Sequence, residues 1–497
     1  MKAFPDFSDF KETYAKRPQV VCASLVSDLE TPVSAMLKLS GDGSNCFLLE
    51  SVEGGAIRGR YSFIGLNPDL IWRCFGDKAE INRQALLDVN KFEPCEEGTI
   101  ASLRAITAQS RIDIPADLPP MAAGLVGYMA YDTVRLAEKL PDANPDVLGT
   151  PDGIFLRPTV IAVFDNIEDN VSVITPVWND QDISAEKAYE LALERIGEVV
   201  RGLDGPVPHN PPVKDAVTAE PTSNMSRDDF HSMVKRAKEY IMAGDIFQVV
   251  LSQRFQVPFK LPAFSLYRAL RRINPSPFLF YLNFGDFSVV GSSPEILVRV
   301  RGGKVTIRPI AGTRRRGATA AEDEELKRDL LADPKELAEH LMLLDLGRND
   351  VGRVAKVNTV HVTERMAVEF YSHVMHIVSN VEGDLDHGYD AIDALLAGFP
   401  AGTVSGAPKV RAMEIIDELE PQRRGVYAGC IGYFGADGEM DTCIALRTAV
   451  VKDGIMYVQA GGGIVADSDP EAEYQESRNK ALALIRAAEE AHRFVGE

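Results

Sequence analysis

Two pairs of glutamates, each pair at helical spacing, are the most chemically suggestive residues in this 497-residue chain. Glu336 and Glu339 share a helical face with His340 and Leu343, while Leu337, Leu341 and Leu344 form an apolar stripe on another. Glu473, Glu476 and Lys480 fall at i, i+3 and i+7 of a second segment, in which Leu484, Ile485 and Ala488 can pack. Taken singly, each pair also reads as a solvated acidic face, or as acids beside the positive end of a helix. Two helices that each offer a carboxylate would suit Mg²⁺. That ion is hard, prefers oxygen, and commonly keeps waters beside one or two carboxylates and the substrate's own oxygens. Zinc is disfavoured, because His373 and His376 lie in an alternating segment where i and i+3 point to opposite faces.

Glycine-rich turns are the next feature. They are Ile310-Ala-Gly-Thr313, Ala401-Gly-Thr403-Val-Ser-Gly-Ala-Pro-Lys409 and Gln459-Ala-Gly461-Gly462-Gly463. Glycine lets a backbone approach a ligand and aim N–H groups at an anion, although the same residues serve tight turns in any β-rich domain. None has the P-loop spacing, and no G-x-G-x-x-G follows a strand, so nucleotide binding is poorly supported. Arg447 and Lys480 lie near these turns in sequence and could hold carboxylates. Acids, a hard cation and anion clamps together suit a dicarboxylate substrate. The residues alone carry the reading no further.

The elements that must position these groups follow from patterning. Ser226 and Asp229 form an N-terminal capping pair for a helix that Gly244 can end, and Ile246 to Val257 alternates with Phe247, Val249 and Leu251 on one face. Helices are expected over about Ala185–Val200 and Glu322–Leu346, from Pro408 in the first turn to Leu419, and from the Asp469-Pro470 cap to about His492. A β-meander is predicted over Val426–Phe434, Met440–Val451 (which includes Arg447) and Ile455–Val465, with turns at Ala436-Asp437-Gly438 and Asp453-Gly454. Earlier strands include Cys46–Leu49 and Thr159–Phe164. Short-loop hairpins with packed helices indicate an α+β fold with antiparallel sheets, not a doubly wound nucleotide fold. Prolines 206, 208, 211, 212 and 221 mark a linker at 206–224 between an N-terminal domain, 1–205, and a catalytic domain, 225–490.

Bulk properties limit the function classes. With 45% hydrophobic residues, 25% charged residues and a net charge of −20, the chain has the balance of a globular protein with an acidic surface, which repels nucleic acid and anionic lipid. Met1–Phe10 lacks a signal-peptide pattern, and the six cysteines form no C-x-x-C, so cytoplasmic localisation with reduced thiols is expected.

From about Ser226 to Arg486 the chain resembles the chorismate-utilising enzyme family. The matching segments are Gly291-Ser-Ser-Pro-Glu295, Pro309-Ile-Ala-Gly-Thr313, Asp345-Leu-Gly-Arg-Asn-Asp350, Gly406-Ala-Pro-Lys409 and Glu473-Tyr-Gln-Glu476-Ser-Arg-Asn-Lys480. The N-terminal half, through Leu48-Leu49-Glu50-Ser51, is similar to the partner domain of anthranilate synthase large subunits. The resemblance implies two antiparallel sheets with surrounding helices. It implies Mg²⁺ held by Glu339 and Glu476 with Glu336 and Glu473 in support, and Glu295 as the general acid for a departing hydroxyl. Tyr427, Arg447 and the amides of Gly461, Gly462 and Gly463 match a clamp on the enolpyruvyl end of chorismate. Lys480 and Thr403 match further substrate contacts, and His376 matches the histidine associated with loss of pyruvate.

Two positions bear on the branch of the family. Aminodeoxychorismate synthases carry a nucleophilic lysine where this chain has Ala311, and isochorismate and salicylate synthases carry a water-activating lysine where it has Gln248. Both departures favour amination by free ammonia to give anthranilate, the committed step of tryptophan biosynthesis. A non-catalytic chorismate- or tryptophan-binding regulator is the other class of reading. No cysteine has the Gly-x-Cys-x-Gly flanks of a class I glutaminase, so ammonia is expected from a separate glutamine amidotransferase subunit. Glu50 and Ser51 with Leu49, and Pro277, Phe278 and Leu279 within Asn274–Leu279, resemble the family's inhibitor-binding motifs; tryptophan feedback is expected at a site built from both halves.

Overall fold

The computed structural model describes residues 2–41, 43–53, 57–179, 182–208, 220–371 and 374–495. The central part of the expected linker, 209–219 with Pro211 and Pro212, and His373 lie outside the described residues.

A long ribbon of two strands, Tyr61–Phe75 and Gly153–Asp165, organises the architecture. The strands pair antiparallel from Tyr61↔Asp165 to Cys74↔Gly153, with an irregularity where Pro68 faces Pro158. Neither proline has an N–H for the ladder, so the ribbon can bend there. On one side of the bend the ribbon continues through Cys46–Glu50 to Phe278–Asn283, Phe287–Ser293, Thr448–Lys452, Ile455–Ile464 and Gln248–Pro258. On the other it continues through Gly124–Met129 to Cys430–Gly435, Met440–Ile444, Ile296–Arg301, Lys304–Ile307 and Val374–Asp384. Every pairing between described strands is antiparallel, as expected for this α+β chain. Where two antiparallel sheets were expected, 22 strands among the described residues form one hydrogen-bonded network through the shared ribbon.

Strands from either side of the 206–224 seam therefore alternate in the same ladders, and so do the cores. Phe10, Ile64 and Val160 pack with Phe255, Leu270 and Leu484; Phe47, Tyr128 and Ile161 pack with Phe280 and Ile431. Among the described residues no helix is long and apolar enough to cross a membrane.

Several expected elements form as read. Ser226 and Asp229 make a reciprocal capping box on helix Arg227–Ala243, which ends at Gly244 with φ +83°. Asp453 and Gly454 both have positive φ, the two-residue hairpin geometry of the last turn. Helix Ala185–Asp204 and helix Pro470–Glu490 occupy their predicted places.

Others differ, each for a local reason. The helix expected over Glu322–Leu346 is two helices, Ala320–Ala332 and Pro334–Gly352, meeting at Asp333. The residue before a proline is driven out of the helical region, and Asp333 caps the second helix from an extended conformation. On that second helix the buried stripe is His340, Leu343, Leu344 and Gly347, whereas Leu341 is 42% exposed. The imidazole of His340 takes an interior place through a 2.7 Å hydrogen bond with Ser379 Oγ. Phe247 precedes its strand and is 72% exposed, not part of the apolar face. Pro408 is the N-cap of helix Lys409–Leu419, not its first-turn residue. The middle meander strand is interrupted between Met440–Ile444 and Thr448–Lys452, and Arg447 stands in the gap with φ +48°.

Candidate active site

Glu295 follows strand Phe287–Ser293, where Pro294 ends the ladder and the backbone N–H of Glu295 donates to Ser293 Oγ. Its carboxyl is buried, and desolvation raises its pKa from 4.5 to about 8; hydrogen bonds from Thr403 and the Ile310 backbone and the charge of Arg447 offset only part of this. At neutral pH Glu295 is therefore an acid with a proton to give. Thr403 Oγ1 donates to Glu295 Oε1 at 3.1 Å from the short turn Gly402–Val404. Arg447 is projected by the break in its strand, and burial lowers its pKa while the nearby Tyr371 and Glu295 act in the opposite sense.

His376 lies on strand Val374–Asp384 opposite Thr313 and Glu369. Its Nδ1 is 3.3 Å from the Gly312 carbonyl and 3.0 Å from Thr313 Oγ1. A carbonyl only accepts, so the proton belongs on Nδ1 and Nε2 keeps its lone pair. Burial first, then the charge of Arg447, lowers the imidazole pKa from 6.5 to about 4. At neutral pH it is a neutral base held in one tautomer.

The glutamate pairs converge on the end of the Gln248–Pro258 and Ile455–Ile464 ladder. Gln248 Nε2 donates to Glu339 Oε1 at 3.1 Å, and Lys480 bridges Glu476 Oε1 at 2.7 Å and the Gly461 carbonyl at 2.9 Å. The glycine run is what permits this approach. A Cβ on Gly462 would stand 2.8 Å from Glu473 Oε2 and 3.3 Å from Glu476 Oε1, and one on Gly463 would stand 2.2 Å from Gln248 Nε2. Burial is the first cause raising the pKa of both Glu339 and Glu473, with the neighbouring Glu336 and Glu476 adding to it. Glu336 accepts from Arg314 at 3.2 Å and Glu473 from Ser468 Oγ at 2.7 Å. Among the described residues no three His, Cys, Asp or Glu side chains stand close enough together to hold a metal by themselves. Lys480 exerts its charge on Glu339, Glu473 and His376, which places the acid pairs beside the Glu295–Arg447–His376 group.

Tyr427 is buried with its ring 5.5 Å from the Arg424 guanidinium. The buried Arg424–Glu420 pair at 2.6 Å supports it from behind and ties to the Val250 carbonyl.

A separate cavity of about 880 Å³ is lined by Leu49, Glu50, Ser51, Pro277, Phe278 and Leu279, so all six expected inhibitor residues share one space. That volume falls within the ~300–1,000 Å³ of small-molecule sites. The antiparallel pairing of Cys46–Glu50 with Phe278–Asn283 brings the two motifs together, with Glu50 opposite Leu279. The carboxylate of Glu50 accepts from the Tyr267 hydroxyl on one oxygen and from Arg271 at 2.8 Å on the other, which fixes its orientation in the wall.

Residues 45–486 match the chorismate binding enzyme family. Relatives named anthranilate synthase component 1 include those of Cereibacter sphaeroides, 59% identical over 98% of both chains, and Pseudomonas aeruginosa, 48% identical over 95% of both. The chain belongs to the anthranilate synthase component 1 group of chorismate-binding enzymes. A solved anthranilate synthase component I from Streptococcus pneumoniae superposes with a TM-score of 0.74 at 36% identity, covering 93% of this chain and 98% of that one. The menaquinone-specific isochorismate synthase of Escherichia coli shares the fold, with a TM-score of 0.70 at 21% identity.

As a chorismate-binding enzyme of this group, the chain carries its site on strand ends, turns and two helices. The partners of the glutamates, Arg314 for Glu336 and Ser468 for Glu473, carried no signal in the sequence. Thr313, which touches His376, lay within a recognised motif without a role. Tyr371, packed against His376 at 5.3 Å, lay in no motif at all.

Proposed function

We propose that the chain converts chorismate and ammonia to anthranilate and pyruvate. The observation that carries this is the buried, protonated Glu295 beside Thr403 and Arg447, with neutral His376 and the glutamate pairs adjoining. Glu295 protonates the departing ring hydroxyl, which leaves as water instead of hydroxide. Ammonia adds at C2, beside the carboxylate-bearing carbon, as the ring double bonds shift and the C4 hydroxyl leaves. His376 assists the later loss of pyruvate, its free Nε2 available to a proton from the ring as aromaticity forms. Arg447, Lys480 and the amides of the glycine run hold the substrate's carboxylates. The acid pairs suit Mg²⁺: Glu339 and Glu476 would supply oxygen ligands with Glu336 and Glu473 in support, and the buried Gln248 Oε1, without a hydrogen-bond partner, is a further oxygen beside Glu339. When bound, the ion would polarise the ring carboxylate.

Ala311 and Gln248 weigh against the alternatives. A methyl group cannot attack the ring, and an amide that donates to Glu339 cannot activate water, so amination by lysine and hydration are disfavoured. The amine donor is a glutamine amidotransferase subunit, because no cysteine of this chain has the flanks of a glutaminase nucleophile. Tryptophan occupies the cavity between Leu49–Ser51 and Pro277–Leu279 and shifts the chain toward an inactive arrangement. The test is anthranilate fluorescence with the purified chain, chorismate and Mg²⁺. Ammonium supports product and glutamine does not; glutamine-dependent product from the chain alone would overturn the partner, and no product from ammonium would overturn the reaction.

A further inference from the structure

One wall of the inhibitor cavity is also a wall of the catalytic group. Besides Leu49, Ser51 and Phe278, the cavity is lined by Arg308, Glu369, Phe370 and Tyr371. Glu369 and Phe370 end strand His361–Phe370, Glu369 across from His376 and Phe370 from Met375, and Tyr371 follows directly. Tyr371 then turns back, its N–H donating to the Val374 carbonyl at 2.8 Å. Its ring meets the His376 imidazole edge-on, with centroids 5.3 Å apart and planes at 67°. The Nδ1 side of that imidazole is held by Gly312 and Thr313, and the Tyr371 ring is a further contact upon it.

Tyr371 is itself held from the cavity side. Its hydroxyl donates to Glu369 Oε2 at 3.0 Å, and Arg308 grips both oxygens of Glu369 and reaches Glu364 at 3.1 Å. Any ligand that presses on the Tyr371 ring, or offers Arg308 a competing carboxylate, loosens this chain of bonds. In the structure the hydroxyl is on Glu369 and the ring rests against the imidazole; releasing the hydroxyl would remove that tether.

We propose that Tyr371, tethered by Glu369 and Arg308, couples occupancy of the inhibitor cavity to the placement of His376. It is a positioning residue, acting on chemistry through the histidine it packs against. The inference rests on the reading of the cavity as the tryptophan site, and the experiment separates the two. Tryptophan affinity is measured by titration calorimetry on the full chain, and inhibition by ammonium-dependent turnover, for the parent, Tyr371→Phe and Tyr371→Leu. Phe keeps the ring and loses the tether; Leu loses both.

Effector couplings commonly amount to ~5–150-fold, so Tyr371→Leu is expected to bind tryptophan within about threefold of the parent yet keep at least about half its turnover when saturated. Tyr371→Phe should fall between the parent and Tyr371→Leu. Reciprocity adds a readout that a merely structural role would not move: chorismate should weaken tryptophan binding in the parent and do so much less in the variants. Inhibition that tracks occupancy in either variant as it does in the parent overturns the coupling. So does a loss of tryptophan affinity equal to the loss of inhibition, which would make Tyr371 a ligand contact. A parent that binds no tryptophan defeats the cavity reading itself, and the coupling with it.

Discussion

Glu295→Gln tests the acid through two independent consequences of burial. The folded chain keeps the Glu295 proton up to about pH 8, while the unfolded chain releases it near 4.5. Between those values the folded state binds one more proton than the unfolded, so stability contributed by this group is present at low pH and is lost as pH rises through the interval. At ~1.4 kcal/mol per pH unit, the whole interval amounts to ~4–5 kcal/mol. Glutamine cannot ionise, so the variant should lose that slope and become more stable than the parent near pH 9. The assay is denaturant unfolding followed by circular dichroism across about pH 5 to 9. Catalysis supplies the second consequence: kcat/KM of the parent, at constant free ammonia, should fall above about pH 8, and Glu295→Gln should lose ~10²–10⁴-fold in kcat. A parent whose activity and stability curves show no inflection attributable to residue 295 would refute the assignment of a buried, neutral acid.

Glu339→Gln and Glu476→Gln each remove one of the proposed anionic oxygen ligands, and each should raise the Mg²⁺ concentration for half-maximal turnover by at least ~10-fold; unchanged Mg²⁺ titrations in both would remove the metal assignment. His376→Met retains bulk without a base, and chromatography of its products should reveal an aminated, pyruvyl-bearing intermediate while anthranilate output falls ~10²-fold or more. Loss of anthranilate with no intermediate would place the histidine at a different step. Ser51→Phe puts a ring into the inhibitor cavity, so uninhibited turnover should stay within about twofold while the tryptophan concentration for half-inhibition rises more than ~10-fold, an energy of about 1.4 kcal/mol; a response like the parent's would remove the regulatory reading.

Local rules gave the caps and hairpins because their causes are local: Ser226 with Asp229, Gly244, and Asp453-Gly454 each satisfy a conformational demand within a few residues. The glutamate pairs were legible for the same reason, since three-residue spacing fixes their shared face. Pro334 was a local signal that the apolar periodicity across it obscured. The strand break at Arg447 had no such signal, because its left-handed backbone is imposed by neighbours on both sides, including the Ser292 N–H that donates to the Arg447 carbonyl. Long-range pairing was equally hidden. Nothing within Cys46–Glu50 names Phe278–Asn283 as its neighbour; the resemblance joined the two motifs in one site, and the register is the physical reason they meet. Protonation states lay furthest from the sequence. Glu295 and His376 are displaced in opposite directions by one cause, burial, which strips solvation from a carboxylate and from an imidazolium alike.

The bent ribbon also has a consequence during synthesis. Its strand Gly153–Asp165 pairs with the fully buried strand Gly124–Met129, whose other edge is completed only by Cys430–Gly435, roughly 300 residues later. At ~5–20 residues per second, that edge waits roughly 15–60 s on the ribosome with its N–H and C=O groups unclaimed. The edge of Cys46–Glu50 waits similarly for Phe278–Asn283. Open edges of apolar strands are templates for pairing with other chains. The nascent N-terminal half is therefore the stage at which this protein is most exposed to aggregation, and at which chaperone holding and slower elongation should matter most to its yield.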